Sequence, residues 1–191
     1  MLEGYYNKLL SFMRRKTSTS YRLASLLAGA ICFLFLLPFC FFLVGNHIDK
    51  YLQLRYSRLL EISISCVSIF FGLFFLLWAT YTQWLIGKGT PAPNAPTQTL
   101  VVVGPYKLCR NPIELGAIFY YTGIGTLFGS LTVGFICGML GFIFGTLYHK
   151  LIEEKELALR FGQDYLAYKK EVPFLFPAIW KSKQGGRFLK S

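Results

Sequence analysis

The stretch from Gly104 to Pro112, with the sequence GPYKLCRNP, places a tyrosine, an arginine and an amide directly before an apolar segment. Two adjacent carboxylates, Glu153 and Glu154, follow the next pair of apolar segments. Groups of this kind are costly to remove from water unless each one finds a partner. We therefore predict that the two stretches form the halves of one polar pocket at the edge of the lipid.

The first stretch contains a corner that suits ligand binding. Pro112 keeps Asn111 out of helical geometry and is itself favoured at the first position of the following helix. A helix N-terminus attracts anions, so a corner built from Tyr106, Arg110 and Asn111 suits an anion or a ribose. Alternatively, these residues have only a structural role. Arg110 would then extend its guanidinium to the membrane–water interface, beside a tyrosine that also lies there.

Four further titratable groups lie near these stretches. Glu114 occupies the first turn of the helix after Pro112, where a carboxylate either stabilises the N-terminus or contacts a ligand. Glu153 and Glu154 point about 100° apart on a helix, so at most one of them faces a given pocket. His149 lies four residues before Glu153 on the same helical face. The alternative for this run is a solvated, salt-bridged surface, in which Lys150 pairs with Glu154 at i,i+4.

Four apolar segments must position these residues. The chain has 191 residues, of which 54% are hydrophobic, a composition typical of integral membrane proteins. Each segment approaches the ~20 helical residues that cross a hydrocarbon core, the third being the shortest. We predict an all-α membrane protein with four transmembrane helices, the last two in a tight antiparallel hairpin, and a cytoplasmic C-terminal helical extension. The spans run from about Tyr21 to Val44, Leu59 to Ile86, Ile113 to Gly129 and Thr132 to Leu151.

We predict that residues 1–191 form a single integral membrane domain. Its parts are a basic cytoplasmic lead, the first two spans, the polar region with the last two spans, and a basic tail, at 1–20, 21–86, 87–177 and 178–191. The loop at 87–112 is rich in proline and glycine, which indicates an irregular path. The helix that follows the last span is predicted to end at Phe161-Gly162.

The distribution of Lys and Arg predicts a multi-pass protein with both termini in the cytoplasm. Five of these residues lie at or before the start of the first span, three in the second loop and nine from Lys150 onward, against three in the first loop. The positive-inside rule favours this orientation. Topology and attraction to anionic membrane lipids account for the net charge of +11. Nucleic-acid binding needs a soluble basic face, and we predict no nucleic-acid partner.

Several other classes of site are not predicted. The five cysteines show no CxxC spacing, and most lie in apolar runs, where a free thiol behaves as a small hydrophobic group. The two histidines form no HExxH motif or carboxylate-histidine cluster typical of a metal site. No small-residue cleavage site clearly ends the first apolar run, which is therefore predicted to be a retained span rather than a signal peptide.

The ordered motifs resemble those of the isoprenylcysteine carboxyl methyltransferase and phospholipid methyltransferase superfamily of integral membrane enzymes. The resemblance covers about residues 85–177. Two positions depart from the family pattern, because Asn111 stands in place of a histidine and Glu114 in place of a tyrosine. The matching residues are Leu100-Val101, Gly104-Pro105-Tyr106, Arg110-Asn111-Pro112, Gly116, Glu153-Glu154, Leu157, Phe161-Gly162, Tyr165, Tyr168 and Val172-Pro173.

The resemblance implies S-adenosylmethionine as a methyl donor, bound on the cytoplasmic side between the last spans and the C-terminal segment. It also implies a catalytic or substrate-side role for Arg110, Glu114 and His149. The cofactor-binding residues implied by position are Gln98, Thr99, Leu100, Val101, Gly104, Tyr106, Asn111, Pro112, Ile113, Glu114, Glu153 and Glu154.

The implied reaction is methyl transfer to a lipidic or amphiphilic acceptor, such as an isoprenylcysteine carboxylate, at the cytoplasmic membrane face. A carboxylate acceptor needs no base, whereas an amine or thiol must lose a proton, for which Glu114 and His149 are the candidates. Asn111 cannot act as a base near neutral pH. Two alternatives remain at this point, an NADPH-dependent membrane reductase of the sterol-reductase type and a non-catalytic membrane relative.

Overall fold

The computed structural model describes residues 18–52, 54 and 56–176. Within these ranges the chain is helical, with irregular connections and no β-strand. The all-α prediction is therefore confirmed for the described part. The predicted basic tail and nearly all of the predicted basic lead lie outside the described residues.

The first helical unit is α1 (Thr19–Ile31), a π-helical turn (Cys32–Leu36) and α2 (Leu37–Leu52). Together they form one helix of 34 residues, Thr19–Leu52, which extends eight residues beyond the predicted end of the first span. The Ser18 side chain accepts a hydrogen bond of 3.2 Å from the Tyr21 amide and so caps its start.

The π-helical turn lies directly before Pro38. A proline inside a helix lacks an N–H group and clashes with the carbonyl four residues earlier. Two tyrosine hydroxyls donate to carbonyls within this turn. Tyr121 donates to the Phe33 carbonyl at 2.9 Å and Tyr120 to the Leu34 carbonyl at 3.2 Å. Backbone groups in an apolar environment need such partners, so these tyrosines fasten the first helix to the bundle.

The second unit, α3 (Arg58–Leu85), has 28 residues and begins at Ser57, whose side chain accepts from the Leu60 amide at 3.3 Å. Three helices among the described residues are long and apolar enough to cross a membrane: Thr19–Leu52, Arg58–Leu85 and Leu131–Glu171. Three of the four predicted spans fall within them. The remaining one, the third predicted span, corresponds to α4 (Pro112–Phe128), whose 17 residues extend about 26 Å, less than the ~30 Å hydrocarbon core.

Small residues bring α4 into contact with its neighbours on both sides. Gly72 of α3 faces the Tyr120 backbone, where an added Cβ would lie 2.6 Å from the amide nitrogen. On the other side, only Gly129 and Ser130 separate α4 from α5 (Leu131–Tyr148). A Cβ at Gly134 would overlap the Thr126 hydroxyl. The glycines of these helices therefore permit close packing, as small residues do between helices in lipid.

After α5 the helix continues through a π-helical turn (His149–Glu153) into α6 (Glu154–Glu171), giving one unit of 41 residues. The predicted end at Phe161-Gly162 is a kink, because Gly162 has φ 56° and ψ −128° and the helix then resumes. Glycine adopts this positive φ without the steric cost of a Cβ. The kink directs Tyr165 and Tyr168 into a buried cluster with Val172.

Candidate active site

Arg110 joins the loop before α4 to the C-terminal part of the chain. Its Nη1 atom lies 2.7 Å from Glu154 Oε1 and donates to the Tyr165 hydroxyl at 3.3 Å, while Nε donates to the Val172 carbonyl at 3.1 Å. Lys169 Nζ lies 2.6 Å from the other Glu154 oxygen. The guanidinium is thus engaged on three sides by the chain itself.

The predicted pairing of Lys150 with Glu154 is wrong. The Glu154 carboxylate is taken by Arg110 and Lys169, whereas Lys150 Nζ lies over the Phe174 ring, 5.3 Å from its centroid. The Glu154 side chain retains only 14% of its accessible surface. A charge-assisted hydrogen bond from a partly buried arginine therefore stabilises this carboxylate more than an exposed lysine on its own helix would.

Asn111 holds the segment after α6 against the start of α4. Its backbone N–H and its side-chain Nδ2 both donate to the Phe174 carbonyl, at 3.2 Å and 3.0 Å. The Arg110 backbone N–H donates to the Pro173 carbonyl at 2.8 Å. The Asn111 side chain makes no capping hydrogen bond to α4. The Asn111 side-chain amide is therefore occupied by the segment that follows α6. Leu175 of that segment packs with buried Cys109.

Tyr106 lies in a short 3-10 turn (Gly104–Lys107) and is 6% exposed. The Tyr168 hydroxyl donates to its backbone carbonyl at 2.6 Å. Burial, reinforced by the negative charge of Glu153, raises the pKa of the Tyr106 hydroxyl well above its usual range, so the phenol stays neutral. That hydroxyl and Oε1 of Gln83 are both buried and make no hydrogen bond of good geometry, although the Gln83 side chain lies close enough to act on the Tyr106 phenol.

His149 brings the two stretches together. Its Nε2 atom lies 3.3 Å from Glu114 Oε2, and its Nδ1 atom contacts Glu153 Oε2. Thr146 donates to the other Glu114 oxygen at 2.9 Å. Glu114 is 3% exposed, and its Oε2 atom has no hydrogen bond of good geometry, although the histidine lies beside it. A buried carboxylate from α4 and a half-buried one from the π-helical turn therefore flank one imidazole.

A recess of about 360 Å³, counted with the part open to solvent, is lined by Glu153, the more exposed of the two carboxylates. The proline-rich loop forms one wall and the surface of α6 the other. Arg160 connects the walls, with Nη1 2.7 Å from Glu156 Oε1 and Nη2 donating to the Thr97 carbonyl. The polar residues that line the recess include Gln83, Thr97, Tyr148, Glu153, Glu156 and Arg160.

Of the predicted site residues, Tyr106, Glu114, His149 and Glu153 gather at one end of the bundle. Two others have their polar groups engaged inside the loop, since Gln98 Nε2 donates to the Pro96 carbonyl at 3.1 Å and the Thr99 hydroxyl to the Ile86 carbonyl at 2.8 Å.

The remaining predicted residues contribute packing or backbone geometry. Val101 and Ile113 pack with Tyr106, and Leu100 packs with the cluster around Tyr165. Gly104 has φ 61°, which favours glycine, and Pro112 is fully buried at the start of α4.

Sequence reasoning missed Gln83, Tyr148 and Thr146. Gln83 lies in the last turn of α3, where a polar side chain resembles an ordinary interface residue. Thr146 offered a usable signal, because it lies one helical turn before His149 and shares its face. Tyr148 is adjacent to His149 and offered none.

Residues 60–164, more than half of the chain, match the family model described as phospholipid methyltransferase. The chain therefore belongs to this family of proteins, and the resemblance seen in the sequence is confirmed. The segment that matches includes Tyr106, Glu114, His149 and Glu153, which the geometry brings together.

Among curated proteins, the chain is similar to protein-S-isoprenylcysteine O-methyltransferase of Rattus norvegicus, with 37% identity over 95 residues, 48% of this chain and 32% of the relative. The Mus musculus protein of the same name is 37% identical over 89 residues, 45% and 30% of the two chains. Cobalt-zinc-cadmium resistance protein CzcN of Cupriavidus metallidurans is 32% identical over 83 residues, 42% and 37%. The aligned part spans about a third of each relative's length. No solved structure matches the chain.

Proposed function

We propose that this protein transfers a methyl group from S-adenosylmethionine to a lipidic or amphiphilic acceptor at the cytoplasmic face of a membrane. One observation carries the proposal. The loop before α4 and the turn after α5 meet at a single end of the bundle, where Tyr106, Glu114 and His149 lie close to Glu153 and Glu153 lines a polar recess. A water-soluble donor and an oily acceptor can meet at such a boundary.

The proposed topology has four spans and places both termini in the cytoplasm. In it α4 is a short third span that packs between α3 and α5, and α4 with α5 forms the predicted hairpin. The distribution of Lys and Arg supports this orientation. It places the recess and the helical extension α6 on the cytoplasmic side, where the soluble donor is available.

The residues at the recess fit S-adenosylmethionine. The Glu153 carboxylate suits the cationic part of the donor, because opposite charges attract strongly where water is partly excluded. The Gln83 Oε1 atom and the Tyr106 hydroxyl are buried near each other and make no hydrogen bond of good geometry, so a polar group of a ligand would improve their pairing. We propose that these three residues hold the donor.

The other predicted residues support this site in the proposal. Arg110, Asn111 and Glu154 brace the loop against the C-terminal segment rather than contact the donor directly. The backbone from Gln98 to Val101, with Gly104, continues the wall of the recess, while Pro112 and Ile113 set the position of Glu114.

When bound, the donor supplies a methyl group on a positively charged sulfur, which is open to in-line displacement. The protein contributes chiefly proximity and orientation, which lower barriers by up to ~7–11 kcal/mol in favourable cases. The recess excludes bulk water from one side of the site, and the carboxylates hold the positive charge in place. His149 and Glu114 then face the position where an acceptor would approach.

Binding of S-adenosylhomocysteine to the purified protein in detergent tests the proposal. We expect isothermal titration calorimetry to detect binding, and we expect Gln83→Leu and Glu153→Gln to weaken it by about tenfold each, since each removes one polar contact worth ~1–2 kcal/mol. Asp164→Asn, which removes an exposed carboxylate from α6, is the matched control and leaves the affinity unchanged. Binding of NADPH in place of S-adenosylhomocysteine would instead support a reductase.

A further inference from the structure

His149 lies between two carboxylates from different parts of the chain. Its Nε2 atom faces Glu114 Oε2 at 3.3 Å and its Nδ1 atom faces Glu153 Oε2. A neutral imidazole has one N–H donor and one lone pair, on opposite sides of the ring. A group held in this way can accept a proton on one nitrogen and release one from the other.

The surroundings orient Glu114 toward the histidine. Thr146 holds the Oε1 atom at 2.9 Å, which leaves Oε2 facing the imidazole. Gly145 provides the space, because a Cβ there would lie 2.9 Å from the Glu114 carboxyl group. The two carboxylates differ in exposure, since the Glu114 side chain is 3% exposed and that of Glu153 is 30% exposed. The three side chains therefore lead from the protein interior to the solvent at the recess.

The other charged groups near the imidazole already have partners. Glu154, the third carboxylate close enough to act on His149, is held by Arg110 and Lys169. Phe174 packs edge-on against the His149 ring, with centroids 6.3 Å apart, and its ring also faces Lys150 and Arg110. The groups that face the two imidazole nitrogens directly are therefore the carboxyl groups of Glu114 and Glu153.

We propose that Glu114, His149 and Glu153 form a proton relay, and that the acceptor bears a protic head group, an amine or a thiol, rather than a carboxylate. This inference rests on the proposed methyl transfer. A carboxylate acceptor has no proton to give to such a relay, and the guanidinium of Arg110, which could pair with it, is engaged by Glu154, Tyr165 and Val172. An amine or thiol is accommodated, and its proton has a path to leave.

In the proposed reaction a methyl group moves from the donor sulfur to the acceptor. The acceptor lone pair forms the new bond to the methyl carbon, the carbon–sulfur bond of the donor breaks, and its electron pair stays on sulfur as a neutral thioether. The N–H or S–H proton of the acceptor passes to Glu114 Oε2 and on to His149 Nε2. The proton on Nδ1 passes to Glu153 and from there to solvent.

Three probes that share a twelve-carbon chain test the head group: dodecylamine, dodecanethiol and dodecanoic acid, each supplied with labelled S-adenosylmethionine to the detergent-solubilised protein. We expect label in an alkali-stable N-methyl or S-methyl product. A methyl ester, which alkali hydrolyses to methanol, as the main product would overturn the inference while leaving methyl transfer intact. Binding of S-adenosylhomocysteine with none of the three probes labelled would overturn it as well.

Variants test the relay separately. Glu114→Gln and His149→Gln should each slow methylation of the amine or thiol by about 10²- to 10⁴-fold, the usual contribution of a positioned proton acceptor. Both should bind S-adenosylhomocysteine within threefold of the parent, which shows that the fold and the donor site persist. His47→Gln and Asp164→Asn, both exposed, are the matched controls.

The outcomes distinguish the two proposals. Methylation at the parent rate in both relay variants would overturn the relay alone. Failure of the parent protein to bind S-adenosylhomocysteine would contradict methyl transfer itself, whereas binding without labelling of any probe overturns the acceptor inference alone. Should Glu114→Gln fail to yield folded protein, His149→Gln decides the question, because its side chain is more exposed and lies at the end of α5.

Discussion

The Arg110 guanidinium and the Glu154 carboxylate lie 2.7 Å apart, although 44 residues separate them in the sequence. Their side chains are 10% and 14% exposed. The pair connects the loop before α4 with the first residue of α6, and Lys169 extends it to the far end of that helix. The proposed site lies between the loop and the helix that this ion pair connects. We therefore expect the ion pair to maintain the geometry of the site.

Replacing Arg110 by alanine should destabilise the protein. The change leaves a largely buried Glu154 with Lys169 as its remaining partner and frees the Val172 carbonyl. Breaking a buried pair costs about 3–5 kcal/mol, and the lower figure corresponds to a fall in Tm of roughly 6–12 °C for a chain of this size. Thermal unfolding in detergent measures the change.

Two comparisons define that experiment. Lys155→Ala removes an exposed cation from the same helix and should leave Tm within 2 °C, about the effect of a surface substitution. Arg110→Lys should behave more like alanine than like the parent, since a lysine cannot reach Glu154, Tyr165 and the Val172 carbonyl together. A lysine variant with parental Tm would mean that charge alone matters here.

Cys109 should report whether the segment after α6 stays closed. The thiol is buried against Leu115 and Leu175, and burial raises its pKa to about 12. Because the thiolate is the reactive form, its population at pH 8 is roughly 10³-fold below that of an ordinary thiol. We expect maleimide labelling of a variant with Cys109 as its sole cysteine to be slow, to accelerate with rising pH, and to become fast on unfolding.

The same variant with Leu175→Ala provides the contrast. Removing the side chain that covers Cys109 should speed labelling of the folded protein at fixed pH without altering the labelling rate of the unfolded protein.

The raised pKa of the Cys109 thiol also sets the sign of its effect on stability as the pH changes. The unfolded thiol ionises near pH 9 and the buried thiol only near 12, so stability contributed by this group is lost as the pH rises through that window. Rapid labelling of the folded parent at pH 7 would contradict the closed arrangement.

The packing of α4 against α5 predicts which glycine substitution can be rescued. A Cβ at Gly138 would overlap only the Thr122 hydroxyl closely, so Gly138→Ala should cost about 1–3 kcal/mol and Thr122→Ala should restore most of the loss. A Cβ at Gly134 would also lie 2.5 Å from the Thr122 carbonyl, which is backbone. Gly134→Ala should therefore remain destabilised when combined with Thr126→Ala. Unfolding of the single and double variants in detergent decides this.

Thr146→Val should affect the relay without affecting donor binding. Valine keeps the shape but removes the hydrogen bond to Glu114 Oε1, so the carboxylate loses its orientation and one buried oxygen loses its partner. We expect methylation to slow by about three- to tenfold, with affinity for S-adenosylhomocysteine unchanged. Thr132→Val on the same helix is the matched control, because its buried hydroxyl has no hydrogen bond to lose. Equal effects of the two changes would argue against a role for Thr146.

The sequence predicted much of the fold, because long apolar runs permit few structures in lipid other than helices. The described helices begin or end within a few residues of most predicted boundaries, and Gly162 marks a real break. The end of the first helix was misplaced, since its polar final turns carry no apolar signal. The π-helical turn before Pro38 was not foreseen either, because it depends on hydroxyls of Tyr120 and Tyr121 that lie far away in sequence.

The proposed site was predictable in its location and only partly in its contacts. The polar stretches around Tyr106 and Glu153 were recognised because polar groups beside an apolar segment need a reason to be there. Gln83 was missed, since a single glutamine at a helix end has no distinctive spacing. Its proposed role rests on the oxygen that the fold buries near Tyr106, which the sequence does not reveal.

By itself, the sequence determined which segments are helical, where polar groups meet the apolar runs, and that Glu153 and Glu154 must face different ways. The tertiary structure decided their partners, giving Glu153 to His149 and Glu154 to Arg110. The physical reason is burial. A pair at i,i+4 on an exposed helix surface is worth only ~0.2–0.5 kcal/mol, so contacts made across buried elements override it, and those contacts exist only once the distant parts of the chain have come together.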